Sequence, residues 1–199
     1  HIAELHESQN GSPGSFSKSV NGLLELDKNG IRISVKHCIT ALNYRSLNDF
    51  IGFVANQFSK NTEIQLWGLD FAGMDEKTSE KYRIGYDQLK PVIEKALDTF
   101  EDMGYNQTLN LNNLPLCLTD PFYWRYFSEP AHEEYLEPDG NQGVPNHGPV
   151  SKNCKECPII EWCMGTYITA FQRFGDDIVS QPDVSFLTDI PTIYQVYDE

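Results

Sequence analysis

Four of the chain's five cysteines have the type and spacing to bind a metal or a cluster. Cys117 stands alone in the stretch Asn113-Leu114-Pro115-Leu116-Cys117. Cys154, Cys157 and Cys163 follow as C-x2-C-x5-C, running on into Met164-Gly165. Thiolates are soft ligands, and four of them suit tetrahedral zinc or an iron–sulfur cluster. Zinc ribbons usually show two C-x2-C knuckles. Here one such pair is joined by a lone Cys117 and by Cys163, and this lopsided set favours iron–sulfur over zinc. Five is an odd count for a disulfide scaffold. Three cysteines within ten residues fit a metal site in a reducing cytoplasm better.

The other candidate groups carry weaker signals. Cys38 lies in a strand pattern between His37 and Ile39 and reads as a buried core thiol, since free cysteine is often buried. A catalytic pair with His37 has no support, because adjacent strand residues point to opposite faces. His6 with Glu7, His132 with Glu133 and Glu134, and His147 show no helix-based metal spacing such as H-E-x-x-H and read as polar loop residues. The aromatic run Phe122 to Phe127 reads as a hydrophobic anchor rather than a stacking platform.

The chain behind these residues has 199 residues, 40% hydrophobic and 12% aromatic, enough for a real core. Its net charge of −14 and sequence pI near 4.6 argue against a nucleic-acid surface, which needs clustered Lys and Arg. No stretch approaches the roughly 20 apolar residues of a membrane span, and no signal peptide is visible. A soluble, cytoplasmic location is expected.

Strands alternating with helices must position the cysteines. Residues 1–14 read as a glycine-rich loop. Ser15 is a candidate N-cap for a helix carrying Phe16, Val20, Leu23, Leu24 and Leu26, stopped at Asn29-Gly30. Ile31 to Ile39 alternates as a strand. Leu47 to Phe58 follows Ser46 as an amphipathic helix, and Glu63 to Leu69 is a second strand. Residues 70–83 read as a loop, and Tyr86 to Phe100 as a helix with a kink expected at Pro91. Thr108 to Asn112 is a third strand. This order implies parallel βαβ units with right-handed crossovers. Function then gathers at the C-terminal ends of the strands, at Asn43, Gly68 to Phe71 and Asn112 to Cys117. Pro138 to Pro149 reads as an irregular connection, Glu161 to Phe174 as a helix, and Ile193 to Tyr197 as a short strand.

In this order the chain resembles the C-terminal half of a radical SAM enzyme with a twitch- or SPASM-like auxiliary cluster domain. The resemblance rests on Gly14-Ser15-Phe16 heading a helix, then Leu26-Asp27-Lys28-Asn29-Gly30-Ile31-Arg32-Ile33. It continues with the strand ending near Asn43 before Leu47, and with the turn at Asn113 to Cys117. Its most specific part is Cys154 to Gly165, followed by Tyr167 and Phe174-Gly175. The resemblance implies an α/β fold, the later half of a partial (β/α) barrel over residues 1–116. Residues 117–199 would form an irregular cysteine-rich extension. It implies that Cys117, Cys154, Cys157 and Cys163 bind one auxiliary 4Fe–4S cluster, for electron transfer or structure. Members with a full SPASM domain carry a further cysteine where this chain has Tyr167, so the shorter twitch-like form fits better.

The parent enzyme would use S-adenosylmethionine and a second 4Fe–4S cluster for radical modification of a substrate, as an oxidoreductase-type peptide or protein maturase. Cofactor or tetrapyrrole synthesis is close behind. A flavodoxin or ferredoxin would be its electron donor, with neither nucleic acid nor membrane as partner. Candidate S-adenosylmethionine contacts are Ser15 at a helix start, Asn43 past a strand end and Lys36 if it points into the barrel. The C-x3-C-x2-C loop of the radical-generating cluster does not occur in the 199 residues. The expectation is therefore a C-terminal portion of a longer protein, inactive alone. Two alternatives stand beside this one: a zinc-binding structural or interaction module without catalysis, and a structural α/β domain whose cysteines are incidental.

Overall fold

A computed structural model of the protein describes residues 2–128 and 146–185. Three parallel strands form its centre, in the order β1 (Ser34–Cys38), β2 (Glu63–Trp67), β3 (Thr108–Asn112). Between them run α3 (Leu47–Gln57) and α5 (Tyr86–Asp102). Both helices present a 3.6-residue apolar stripe, and both bury it: Phe50, Ile51 and Val54 from α3, and Leu89, Ile93, Ala96 and Leu97 from α5. They meet Ile64, Leu66, Leu109 and Leu111 from one face of the sheet. The parallel βαβ reading holds, and β3 lies where the sequence placed it. α5 runs continuously through Pro91.

The opposite face of the sheet is unlike that of most parallel sheets, which are apolar on both sides. In register across the strands stand Ser34, Glu63 and Thr108, then Lys36, Gln65 and Asn110, then Cys38, Trp67 and Asn112. Side chains bond along this grid. Asn110 donates to Glu63 at 2.8 Å, the Trp67 indole N–H donates to Gln65 at 3.0 Å, and the Lys36 ammonium sits 3.4 Å above the Trp67 ring. The period-2 alternation of the strands therefore separates an apolar, helix-covered face from a polar, open one.

Several local expectations change. The first fourteen residues are not all loop: α1 (Ala3–Asn10) forms there and ends at Gly11, whose φ of 67° closes the helix. It has no buried residue of its own and is held by α2 (Ser15–Lys28), with the His6 ring edge-on to Phe16 at 5.7 Å. The N-cap of α2 is Gly14, and Ser15 is the first helical residue. Residues 70–83 contain α4 (Glu76–Tyr82), capped by Asp75, which accepts from the Thr78 N–H at 2.7 Å. The helix expected over 161–174 is cut to α6 (Ile168–Phe174). Ahead of it the short β5 (Thr166–Tyr167) pairs antiparallel with β4 (His147–Gly148). Gly165 breaks the longer helix with a φ of 70°. Cys38 is exposed on the polar sheet face rather than buried, while His37 stacks on Phe50 at 4.2 Å on the helix side. The expectations for His132 to Glu134, for most of 138–149 and for a strand at 193–197 lie outside the described residues.

Candidate metal centre

The spacing of the three clustered cysteines has a direct structural meaning. Backbone i→i+3 bonds succeed one another from Cys154 N–H to Ser151, Cys157 N–H to Cys154, Ile160 N–H to Cys157 and Cys163 N–H to Ile160, at 2.9 to 3.3 Å. The segment is a succession of turns rather than one helix, with a 3-10 turn only over Ile160–Trp162, and these turns bring Cys154, Cys157 and Cys163 to one cavity.

Cys117 reaches the same spot from the end of β3. Asn113, with a φ of 51°, turns the chain out of the strand. Gly68 at the end of β2 passes so close that a Cβ there would meet the Asn113 carbonyl. Pro115 then starts a single 3-10 turn over Leu116–Leu118. Trp124, wholly buried, donates its indole N–H to the Leu116 carbonyl at 3.0 Å and fixes that turn. Trp124 is thus the anchor expected of the aromatic run. The buried core is continuous across position 117, taking in Leu118, Trp124, Phe127 and Ile159.

All four sulfurs line one small cavity, closed by Pro115, Ile159, Ile160 and Phe171. None is in a disulfide. Two backbone amides point at one of them. The Leu116 and Gly165 N–H groups donate to the Cys163 sulfur at 3.4 and 3.3 Å. Burial pushes the Cys117 thiol up to about 12, and the proximity of Cys163, Cys154 and Cys157 adds to it. Burial likewise raises Cys154 and Cys163. Such a pocket disfavours bare thiolates, yet offers N–H donors to sulfur whose negative charge a bound cation matches. Four thiols on one cavity match the donor type and number of a cluster. Among the described residues, no group of three or more His, Cys, Asp or Glu is arranged to hold a single metal ion. A tetrahedral zinc site, with Zn–S near ~2.3 Å, needs its four sulfurs drawn tightly together.

The other proposed contacts are dispersed. Ser15 bonds to Asn10 through its hydroxyl. Asn43, 3% exposed, spends its amide on the turn after β1, accepting from the Thr40 N–H at 2.8 Å and donating to the Cys38 carbonyl at 2.9 Å. Lys36 stands on the polar sheet face. Lys36 and Asn43 line one groove beside β1, to which Phe16 but not Ser15 contributes. Sequence reasoning placed Asn112 in its strand-end group and Tyr167 in the resemblance, but missed Trp67. Asn112 is 9% exposed and its side-chain nitrogen has no partner among the described residues, and Tyr167 lies beside Asn113. The signal for Trp67 and Asn112 was in the strand alternation, which puts them on the same face as Lys36 and Cys38.

Comparison with protein-family models, curated proteins and solved structures finds no match to this chain.

Proposed function

We propose that Cys117, Cys154, Cys157 and Cys163 hold one 4Fe–4S cluster, and that the chain is part of a radical SAM enzyme acting on a peptide or protein. The observation that carries the cluster is the meeting of four unpaired thiols from two distant segments on one cavity, with two backbone N–H groups aimed at the Cys163 sulfur. When bound, such a centre supplies one-electron transfer. With four protein ligands it is fully coordinated, which suits an electron-transfer or structural role. The polar open face of the sheet supports the half-barrel part of the reading, since a barrel interior that binds substrate needs polar side chains where an ordinary parallel sheet has apolar ones. Of the three S-adenosylmethionine candidates, Lys36 stands on that face above the Trp67 ring, whereas the amide of Asn43 is committed to its own turn. The reading requires a C-x3-C-x2-C cluster loop from polypeptide other than these 199 residues.

Anaerobic reconstitution with iron and sulfide tests the cluster directly. The expected product is brown and holds about four iron and four sulfide per chain. Cys157→Ala should lose most of that iron. A chain that takes up zinc alone, or a Cys157→Ala variant with unchanged metal content, would remove the cluster and favour the zinc module or incidental cysteines.

A further inference from the structure

A second cavity, of about 390 Å³, lies against the cysteine site and shares Cys117, Val179 and Ser180 with its walls. It opens between the loop after β2, the start of α5 and the segment 176–180. The loop is pinned by the Thr169 hydroxyl, which accepts from the Phe71 N–H at 3.0 Å and donates to Asp70 at 2.7 Å. Ser151 and Asn153 hold the 176–180 segment through the Asp176 and Val179 carbonyls. The cavity is therefore built by packed and hydrogen-bonded walls, and its volume is that of a small-molecule site.

Its interior is mainly apolar, from Phe71, Ile84, Phe174 and Ile178. Four charged side chains reach it, and they are not equivalent. Asp177 is 91% exposed and faces Lys152 at 3.8 Å. Lys90 is tied to Asp120 and to Glu94. Asp87 folds back over the first turn of its own helix, its carboxylate occupying the space a Cβ on Gly85 would need. Arg83 is different. Its guanidinium lies 4.3 Å from the centre of the Phe174 ring, and its ion pair is a 3.5 Å contact to Glu80, whose side chain is 57% exposed. Exposed pairs of this kind contribute little, so the planar guanidinium remains open to a better carboxylate.

We infer that this cavity binds an organic monoanion with an apolar body, its carboxylate on Arg83 and its hydrocarbon between Phe71, Phe174 and Ile178, against the outer side of Cys117. The site does not depend on iron in the neighbouring centre.

The test uses 4-phenylbutyrate and its uncharged analogue 4-phenylbutyramide as probes. Binding is measured by titration calorimetry and ligand-observed NMR, on both the iron-reconstituted and the metal-free chain. The carboxylate should bind at least tenfold more tightly than the amide in both forms. Arg83→Gln should erase that preference, and Ile178→Trp should block both probes by filling the cavity, with each variant's melting temperature reported alongside. Equal affinity for the two probes, an unchanged preference in Arg83→Gln, or no binding of the carboxylate would each overturn the inference. Because both metal states are titrated, failure of cluster assembly is read separately from failure of the pocket.

Discussion

Cys163 is the sulfur the backbone serves most closely, with two amides donating to it. Cys163→Ser is expected to lower bound iron to background after reconstitution, while Cys38→Ser, on the far polar face, leaves iron unchanged; iron and sulfide analysis of the two variants checks this. His37 carries a different prediction. Burial against Phe50 lowers its pKa from 6.5 to about 4. The unfolded chain therefore binds the proton more readily than the folded one between those values. Stability is full above pH 6.5, falls as the pH drops toward 4, and has lost about 3 kcal/mol from this group by then. His37→Phe keeps the stacked ring and should flatten that part of the profile in urea unfolding measured from pH 7 to pH 4. An unchanged slope would mean that other groups set the acid limit. His37 and Cys38 also show what a single residue reveals in sequence. Their opposite facing follows from strand geometry, but which face is open does not. Burial of free cysteine is a tendency of residue type, and it fails here because no described helix packs on the sheet face that carries Cys38.

The elements were legible where apolar spacing is strong. α3, α5 and β3 each carry a stripe or an alternation that packing then uses. α1 and α4 lack such a stripe, so the hydrophobic pattern has nothing to report, and they stand on caps and neighbours instead. The C-x2-C-x5-C segment held a further clue: its close spacing suggested a common site, and successive turns bring those three cysteines to one cavity. The amides aimed at the Cys163 sulfur could not be read from the chain, since they depend on how β4, β5 and the segment 176–180 close around the site. Gly165 is the hinge of that closure. Its φ of 70° disfavours a side chain, and a Cβ there would run into the backbone of Gly148 and Pro149. Gly165→Ala should destabilise by well over the ~1–2 kcal/mol of the left-handed backbone alone, and it should also reduce iron uptake. Gly30→Ala, with a φ of 74° and open space around it, should show only the backbone effect in the same denaturant titration and bind iron normally.

At the scale of the whole molecule, one apolar core joins the βαβ body to the cysteine segment, and the two differ in what holds them. The sheet and its helices are secured by buried side chains such as Leu66, Ile93 and Leu97. The cysteine segment relies on turns, a two-residue strand pair and the sulfurs. Iron loading should therefore slow amide exchange in 116–118 and 151–167 while leaving β1, β2 and α3 unchanged, as hydrogen-exchange mass spectrometry would resolve. Uniform protection across the chain would contradict this division. On the proposed reading, one early ligand and three late ones would also make the centre a cross-link. Thirty-six residues separate Cys117 from Cys154. Closing a loop of that length restricts the unfolded chain by about 4 kcal/mol on polymer grounds. A metal held at both points would thus act partly on a state in which no fold is present, shortening the random chain before any contact of the native centre is counted.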